Sequence, residues 1–267
     1  MEKDKQANNT ILKKLQESIE QDADAKVLKY ANQYLHNEAD EDVLECKILA
    51  LIKLEKFKEA LHLQNSSQVK KEQNNYLQRK YLYVYTQYKL KEYGKALKFL
   101  MDLEKDLPSL KSDGMEDEGQ LSFGSKLELL KAQILIKNDD FVQSSDILAR
   151  FLTERFSDPS CADIIEDICA NFFNSVTLLI WVHYSKQQPG NPLSKKREEA
   201  FTIALNYCLK ESDKITIREV YLNLLITLAV LSLSENPYFE GEEVNSKFEK
   251  ILELFYEKLD QNKDGNM

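Results

Sequence analysis

Side chains able to carry chemistry are few in this chain of 267 residues, and none has catalytic spacing. The three histidines, His36, His62 and His183, form no His-x3-His pair and no HExxH arrangement that could hold a metal on one helix face. Neither a glycine-rich phosphate loop nor a GxSxG nucleophile turn occurs. The string Asp260-x-Asn262-x-Asp264-Gly265 opens like a calcium-binding loop. Such a loop needs a bidentate Glu at its twelfth position, which is not reached. Cys46, Cys161, Cys169 and Cys208 form no CxxC pair and sit in apolar runs, as reduced core thiols do. The sequence therefore predicts no catalytic residue, no metal site, no cofactor and no small-molecule substrate.

Tyrosine and lysine, in contrast, recur in order. Tyr81, Tyr85 and Tyr88 lie at i, i+4 and i+7, the spacing of one helix face. Lys53, Lys89 and Lys137 occupy matching places in three related segments. These are Leu51-x5-Phe57-x2-Ala60-Leu61, Gln87-x5-Tyr93-x2-Ala96-Leu97 and Leu135-x5-Phe141-x2-Ser144. Each sets an aromatic just after a short polar break and a small residue three positions later. The ring is expected to pack into the angle between two antiparallel helices, and the small residue to let the second helix approach. Phe57 and Tyr93 are 36 residues apart, near the roughly 34-residue period of tetratricopeptide (TPR) repeats. Tyr93 and Phe141 are 48 apart, one period plus an insertion.

Composition agrees. With 7 Gly and 5 Pro, turns are too scarce for a sheet protein. The expected fold is all-α, a TPR-like helix–turn–helix solenoid in which antiparallel helix pairs form a right-handed superhelix. Residues 1–36 read as an N-terminal helix pair, with Asp22 or Asp24 as N-cap of its second helix. Residues 37–158 read as three repeats with a polar insertion at 109–124, 159–260 as a helical extension, and 261–267 as a disordered tail. The formal charge of −9 argues against a general nucleic-acid binder. Lys70-Lys71, Arg79-Lys80 and Lys195-Lys196-Arg197 read as solvated helix ends or loops. The polar start and the short apolar stretch around Leu224 to Leu231 predict no secretion signal and no membrane insertion, hence a cytoplasmic or nuclear setting.

The runs CKILALIKLEKFKEAL (Cys46 to Leu61), RKYLYVYTQYKLKEYGKAL (Arg79 to Leu97) and KLELLKAQILIKNDDFVQSSDILARFL resemble one TPR family in particular. This is the N-terminal TPR domain of the larger partner in the signal recognition particle's TPR-containing protein heterodimer. The likeness covers about residues 24 to 180 and extends to a following helix with Asn171 and Asn174. It implies a cytoplasmic docking module that binds the C-terminal region of the companion protein subunit in co-translational targeting to the endoplasmic reticulum. RNA contact would be indirect, through the particle, because no lysine-rich, proline-containing segment appears and residues after about 190 match poorly.

In the register of Phe57, Tyr93 and Phe141, the tyrosine ladder is expected to face the concave groove, where rings with polar tips suit peptide binding. Lys53, Lys89 and Lys137 would edge that groove and favour an acidic or amphipathic segment. The partner-binding set is thus Tyr81, Tyr85, Tyr88, Lys89, Lys53, Gln133 and Lys137. The bland reading places some rings in inter-repeat core and leaves the lysines as ordinary surface charges. The places that hold a heat-shock protein's terminal carboxylate in TPR co-chaperones carry Glu45, Leu49, Leu82 and Leu130 here, with Lys126 as a remnant. Two other functions stay open: RNA contact through Lys195 to Arg197, and a general TPR adaptor in another assembly.

Overall fold

A computed structural model describes residues 2–67, 76–110, 118–157, 161–186 and 193–210, with 220, 222–227, 246, 249–250, 252–254 and 256–257. All regular elements among the described residues are helical, which establishes the all-α class. They divide into two compact units, Met1–Leu110 and Lys111–Met267. The first holds α1 (Glu2–Glu20), α2 (Asp24–Asn37), α3 (Glu41–Lys53), α4 (Phe57–Ser66), α5 (Tyr76–Lys89) and α6 (Tyr93–Leu110). The second holds α7 (Glu118–Lys137), α8 (Phe141–Arg155), α9 (Ile165–Ser185) and α10 (Lys195–Lys210). Each helix of the first unit packs on the next, and α5 also reaches α3. In the second unit α8 packs on α7, α9 and α10.

One turn architecture joins the paired helices. Asp22, Glu55, Lys91 and Asp139 all take left-handed backbone conformations, with φ of 50°, 57°, 63° and 61°. In each case the next N–H reaches back five residues to a carbonyl. Lys56 N donates to Leu51 O at 2.8 Å, Glu92 N to Gln87 O at 3.0 Å and Asp140 N to Leu135 O at 3.0 Å. This double closure of the preceding helix is a known C-terminal cap. The first and last residues of the repeated pattern are thereby explained. Leu51, Gln87 and Leu135 accept the capping bond, and Ala60, Ala96 and Ser144 donate to the carbonyl that opens the following helix. The first helix pair is built the same way, with Ala23 N to Ser18 O at 2.9 Å and Val27 N to Ala23 O at 3.0 Å. It escaped the sequence pattern because Asp24 stands where the others have an aromatic and Val27 where they have a small residue.

Burial follows the small residues more than the rings. Ala60, Ala96 and Ser144 are at 0% exposure, and Ser144 Oγ donates to Ala132 O across the helix pair at 3.1 Å. Phe57, Tyr93 and Phe141 are only half-buried. The tight contact is therefore the small position, and the ring caps its rim. Two caps act through side chains. Asp40 accepts from Asp42 N and Val43 N at the start of α3, and Asp140 from Gln143 N at the start of α8. Neither Asp22 nor Asp24 caps α2 as expected. Its N-cap is Ala23, without a side-chain bond, because the left-handed turn places Asp22 before it and Asp24 within the helix.

Three further expectations change or fall away. The stretch 109–124 is helical at both ends, since α6 runs past Pro108 to Leu110 and α7 begins at Glu118. Gly119 and Gly124 suggested a loop, but the packing of α7 on α8 outweighs a glycine penalty of about 1 kcal/mol each. The stretch Gln188 to Pro192, whose Pro and Gly residues would break a helix, and the tail 261–267 lie outside the described residues. Third, α9 is long and apolar enough to cross a membrane by length and composition, over Ile165–His183. Its Ile168, Cys169, Phe172, Phe173, Val176 and Ile180 are at 0% exposure within the second unit's core. That apolar face is already used inside the protein.

Two substitutions test these local geometries. Lys91→Gly relieves a left-handed conformation that an L side chain tolerates poorly, and should stabilise by about 0.5–1 kcal/mol after the entropy of glycine is counted. Gly124→Ala meets no heavy atom within 4 Å of the new Cβ and should add about 0.5–1 kcal/mol through helix propensity. Urea unfolding midpoints would move up in both. A downward shift for Lys91→Gly would refute the capping turn.

Candidate partner-binding face

The YLYVY segment belongs to α5, in which Leu82, Val84, Thr86 and Gln87 are buried. Tyr81, Tyr85 and Tyr88 share one half-buried face, while half-buried Tyr83 lies on another, edge-on to Phe99. Tyr81 and Tyr85 stack with ring centroids 6.4 Å apart and pack against the cluster of Ile48, Leu51, Ile52, Ala60 and Leu82. Tyr88 meets Tyr93 of the following helix at 5.9 Å. Lys89 Nζ lies 5.2 Å from the Tyr85 ring centre and 6.0 Å from that of Tyr88, a cation over two π faces. Burial pushes the Tyr81 hydroxyl up to about 12, with Tyr85 as the smaller cause. The Tyr88 hydroxyl is raised too, by burial and then by Tyr93 and Tyr85. Tyr81 is accordingly more a packing residue, and Tyr85, Tyr88 and Lys89 form the accessible end of the ladder.

The three lysines occupy equivalent places, for a reason the sequence pattern did not reveal. Lys53, Lys89 and Lys137 are the last residues of α3, α5 and α7, where a cation offsets the partial negative charge of a helix C-terminus. Lys53 has an additional duty. Its ammonium lies 2.5 Å from Asp22 Oδ1 and 3.7 Å from Asp24 Oδ1. The hydrogen bond it donates to Asp22 leads in raising its pKa. Its charge is thus engaged within the first unit, leaving Lys89 as the exposed cation beside the rings. Gln133, half-buried, and Lys137, exposed, stand on α7 in the second unit.

Two of the basic clusters are not the solvated patches they were taken for. The Arg79 side chain is 3% exposed, ion-paired to Glu41 and bonded to Ser67 Oγ at 3.0 Å. Arg197 is also buried, with Nε on Ser145 Oγ at 2.8 Å, Nη2 on Val142 O at 3.3 Å and Asp146 Oδ1 at 2.9 Å. Its neighbour Lys196 pairs with Glu154 at 2.7 Å. A run of three cations looks free in sequence, yet helical periodicity turns Arg197 inward and leaves Lys195 and Lys196 outside. The RNA-contacting alternative loses most of its phosphate-binding charge in this way. Lys126, the clamp remnant, is 3.4 Å from Asp163. Cys169 and Cys208 are buried thiols raised chiefly by burial, Cys208 to about 12. Among the described residues no three His, Cys, Asp or Glu side chains converge as a metal site.

No family model and no curated protein matches the chain. Solved structures that are similar to it include two from yeast. One is the TPR2AB domain of yeast Sti1 in complex with pHSP90, at 9% identity over 92% of this chain and 98% of that one, with a TM-score of 0.32. The other is yeast Tom70, at 13% identity over 94% of this chain and 55% of that one, also with a TM-score of 0.32.

Two measurements separate packing residues from accessible ones. Tyr81 prefers its protonated form when folded, so its share of stability is intact below pH 10 and is lost as pH rises towards 12. Tyr81→Phe should lessen that alkaline loss, as followed by circular dichroism. A pH profile identical to the parent would contradict the burial of its hydroxyl. Arg197→Ala strips Ser145, Val142 and Asp146 of their donor and should destabilise by about 2 kcal/mol. Lys196→Ala should leave the unfolding midpoint where it was.

Proposed function

We propose that this chain is a protein–protein docking module of the signal recognition particle, working in the cytoplasm in co-translational targeting to the endoplasmic reticulum. It would bind the C-terminal region of the companion protein subunit, touching RNA only through the particle. The observation that carries the reading is the accessible end of the α5 ladder. Tyr85 and Tyr88 are half-exposed and bridged by Lys89, on a scaffold of capped helix hairpins. Aromatic rings held rigidly beside one cation suit an apolar segment that carries a carboxylate. Support for this partner in particular comes from the resemblance of Cys46 to Leu61 and Arg79 to Leu97. Both runs build neighbouring hairpins of the first unit.

Calorimetric titration with the companion's C-terminal region tests it. Tyr88→Ala and Tyr85→Ala should keep their helix content, with binding weakened by about 2 kcal/mol or more at the better anchor. Lys89→Glu should mainly slow association and steepen its salt dependence. Lys53→Glu should instead lower stability, because it sets a carboxylate against Asp22 and Asp24. No binding by the parent chain would remove this partner. Unchanged affinity in both tyrosine variants would move the docking face off α5.

A further inference from the structure

A cleft of about 370 Å³ lies where the end of α4 meets α5 and α6, within the ~300–1,000 Å³ of small-ligand sites. At about 100° per residue, Arg79, Lys80, Tyr83 and Gln87 fall together on the half of α5 opposite Tyr81, Tyr85 and Tyr88. The cleft is therefore separate from the tyrosine ladder. Its wall has two layers. Arg79 Nη2 donates to Ser67 Oγ at 3.0 Å, while Tyr85 packs in the cluster of Ala60, so α4 and α5 run antiparallel. Gln64, one turn before Ser67, thus stands level with Tyr83, one turn beyond Arg79. Phe99 of α6 completes this inner layer, 36% exposed and edge-on to the Tyr83 ring at 4.9 Å. Arg79 and Lys80 make up the outer layer.

The inner layer carries an unmet demand. Both amide atoms of Gln64, Oε1 and Nε2, are out of reach of solvent and have no hydrogen-bond partner. Gln87, one turn further along α5 and 4% exposed, donates from Nε2 to Tyr83 Oη at 3.2 Å. Its own Oε1 has no partner either. Since Tyr83 Oη accepts from Gln87, the phenolic proton is left to donate into the cleft. Buried amide atoms without partners cost stability, which a ligand offering a donor and an acceptor side by side restores. Gln64 as a whole is half-buried, so a rotamer change at the end of its side chain turns the amide into the cleft. The outer layer asks for an anion. Arg79 is held by Glu41, but Lys80 has only the Tyr76 ring at 5.6 Å and no ion pair among the described residues. No carboxylate lines the cleft.

We propose that this cleft binds adenosine monophosphate. The base lies against Phe99 and Tyr83. Its amino group and neighbouring ring nitrogen meet Gln64 Oε1 and Nε2, the pairing by which a glutamine reads adenine. The phosphate, about one helical turn (~5 Å) away, meets Lys80. A simple anion satisfies Lys80 but leaves the glutamine oxygen unpaired, and an apolar ligand satisfies neither layer. This site goes beyond the docking function and does not depend on it.

Calorimetric titration of AMP onto the full chain tests the proposal. AMP should bind saturably at one site per chain. AMP dimethylated on its amino nitrogen keeps ring and phosphate but has no N–H, and should bind about tenfold more weakly. Gln64→Leu should weaken AMP about tenfold and abolish that preference. Because it deletes only unpaired polar atoms, it should leave the melting temperature of the free protein unchanged or higher. Lys80→Ala should weaken AMP and leave adenosine binding as it was. Absent saturation, equal affinity for AMP and its dimethyl analogue, or inorganic phosphate binding as tightly as AMP would each overturn the proposal. A markedly lower melting temperature for Gln64→Leu would do the same, since the amide would then be holding the fold. The two proposals fail separately. Tyr88→Ala should not alter AMP binding, and Gln64→Leu should not alter binding of the companion's C-terminal region.

Discussion

The close approach of paired helices at Ala60, Ala96 and Ser144 is the constraint on which the rest of the molecule depends. A side chain with no exposure and almost no volume lets two helix backbones meet. The left-handed residue five positions earlier turns the chain so that they meet there. Neither device works alone. Without the turn the second helix would leave at another angle, and without the small residue it would be held off. The half-buried rings of Phe57, Tyr93 and Phe141 then seal a contact that is already made. A large residue at Ala60 or Ala96 has no relaxed place to go, because overpacking in a closed contact forces backbone shifts.

Much of this was legible in the sequence, and the reasons are specific. An aromatic and a small residue at fixed offsets from a polar break are a periodic signal, and periodicity survives without coordinates. The helix pairs from α3 to α8 follow from it, except that α6 runs on to Leu110 and α7 begins at Glu118, both inside the expected insertion. The caps were less legible: Asp22 and Asp24 offered themselves for α2 and neither caps it, whereas Asp40 and Asp140 cap α3 and α8. The first pair was harder. It obeys the same backbone rule with Asp24 and Val27 in the marked places, so its side chains do not announce it. Gly124 misled in the opposite sense, because packing on a neighbouring helix overrides local propensity and sequence alone does not weigh the two.

The candidate sites were less legible, and charge is the cause. A lysine on paper is a free cation. In the folded chain Lys53 belongs to Asp22, Arg79 to Glu41, Arg197 to Asp146 and Lys196 to Glu154. These partners are distant in sequence, so no window of residues could reveal them. The tyrosine ladder was visible by its spacing, but not the division of labour within it. Tyr81 and Tyr85 stack against the core of the preceding hairpin, and Tyr88 leans on the next. The cleft around Gln64 was hidden for another reason. Three helices build it, and a glutamine without a partner looks like any other in the sequence.

Arg79 fastens neighbouring parts of the first unit. Its guanidinium, almost wholly out of solvent, holds Glu41 in the first turn of α3 and Ser67 just past the end of α4. To flex between these hairpins, the chain would have to leave a buried cation without its anion, which is far dearer than breaking a pair in water. The joint is therefore stiff. A stiff joint presents Tyr85, Tyr88 and Lys89 in one arrangement before any partner arrives, so little conformational freedom remains to be lost on association. Such a surface discriminates by shape. It accepts segments that match the spacing of its rings and does not remould itself around those that do not.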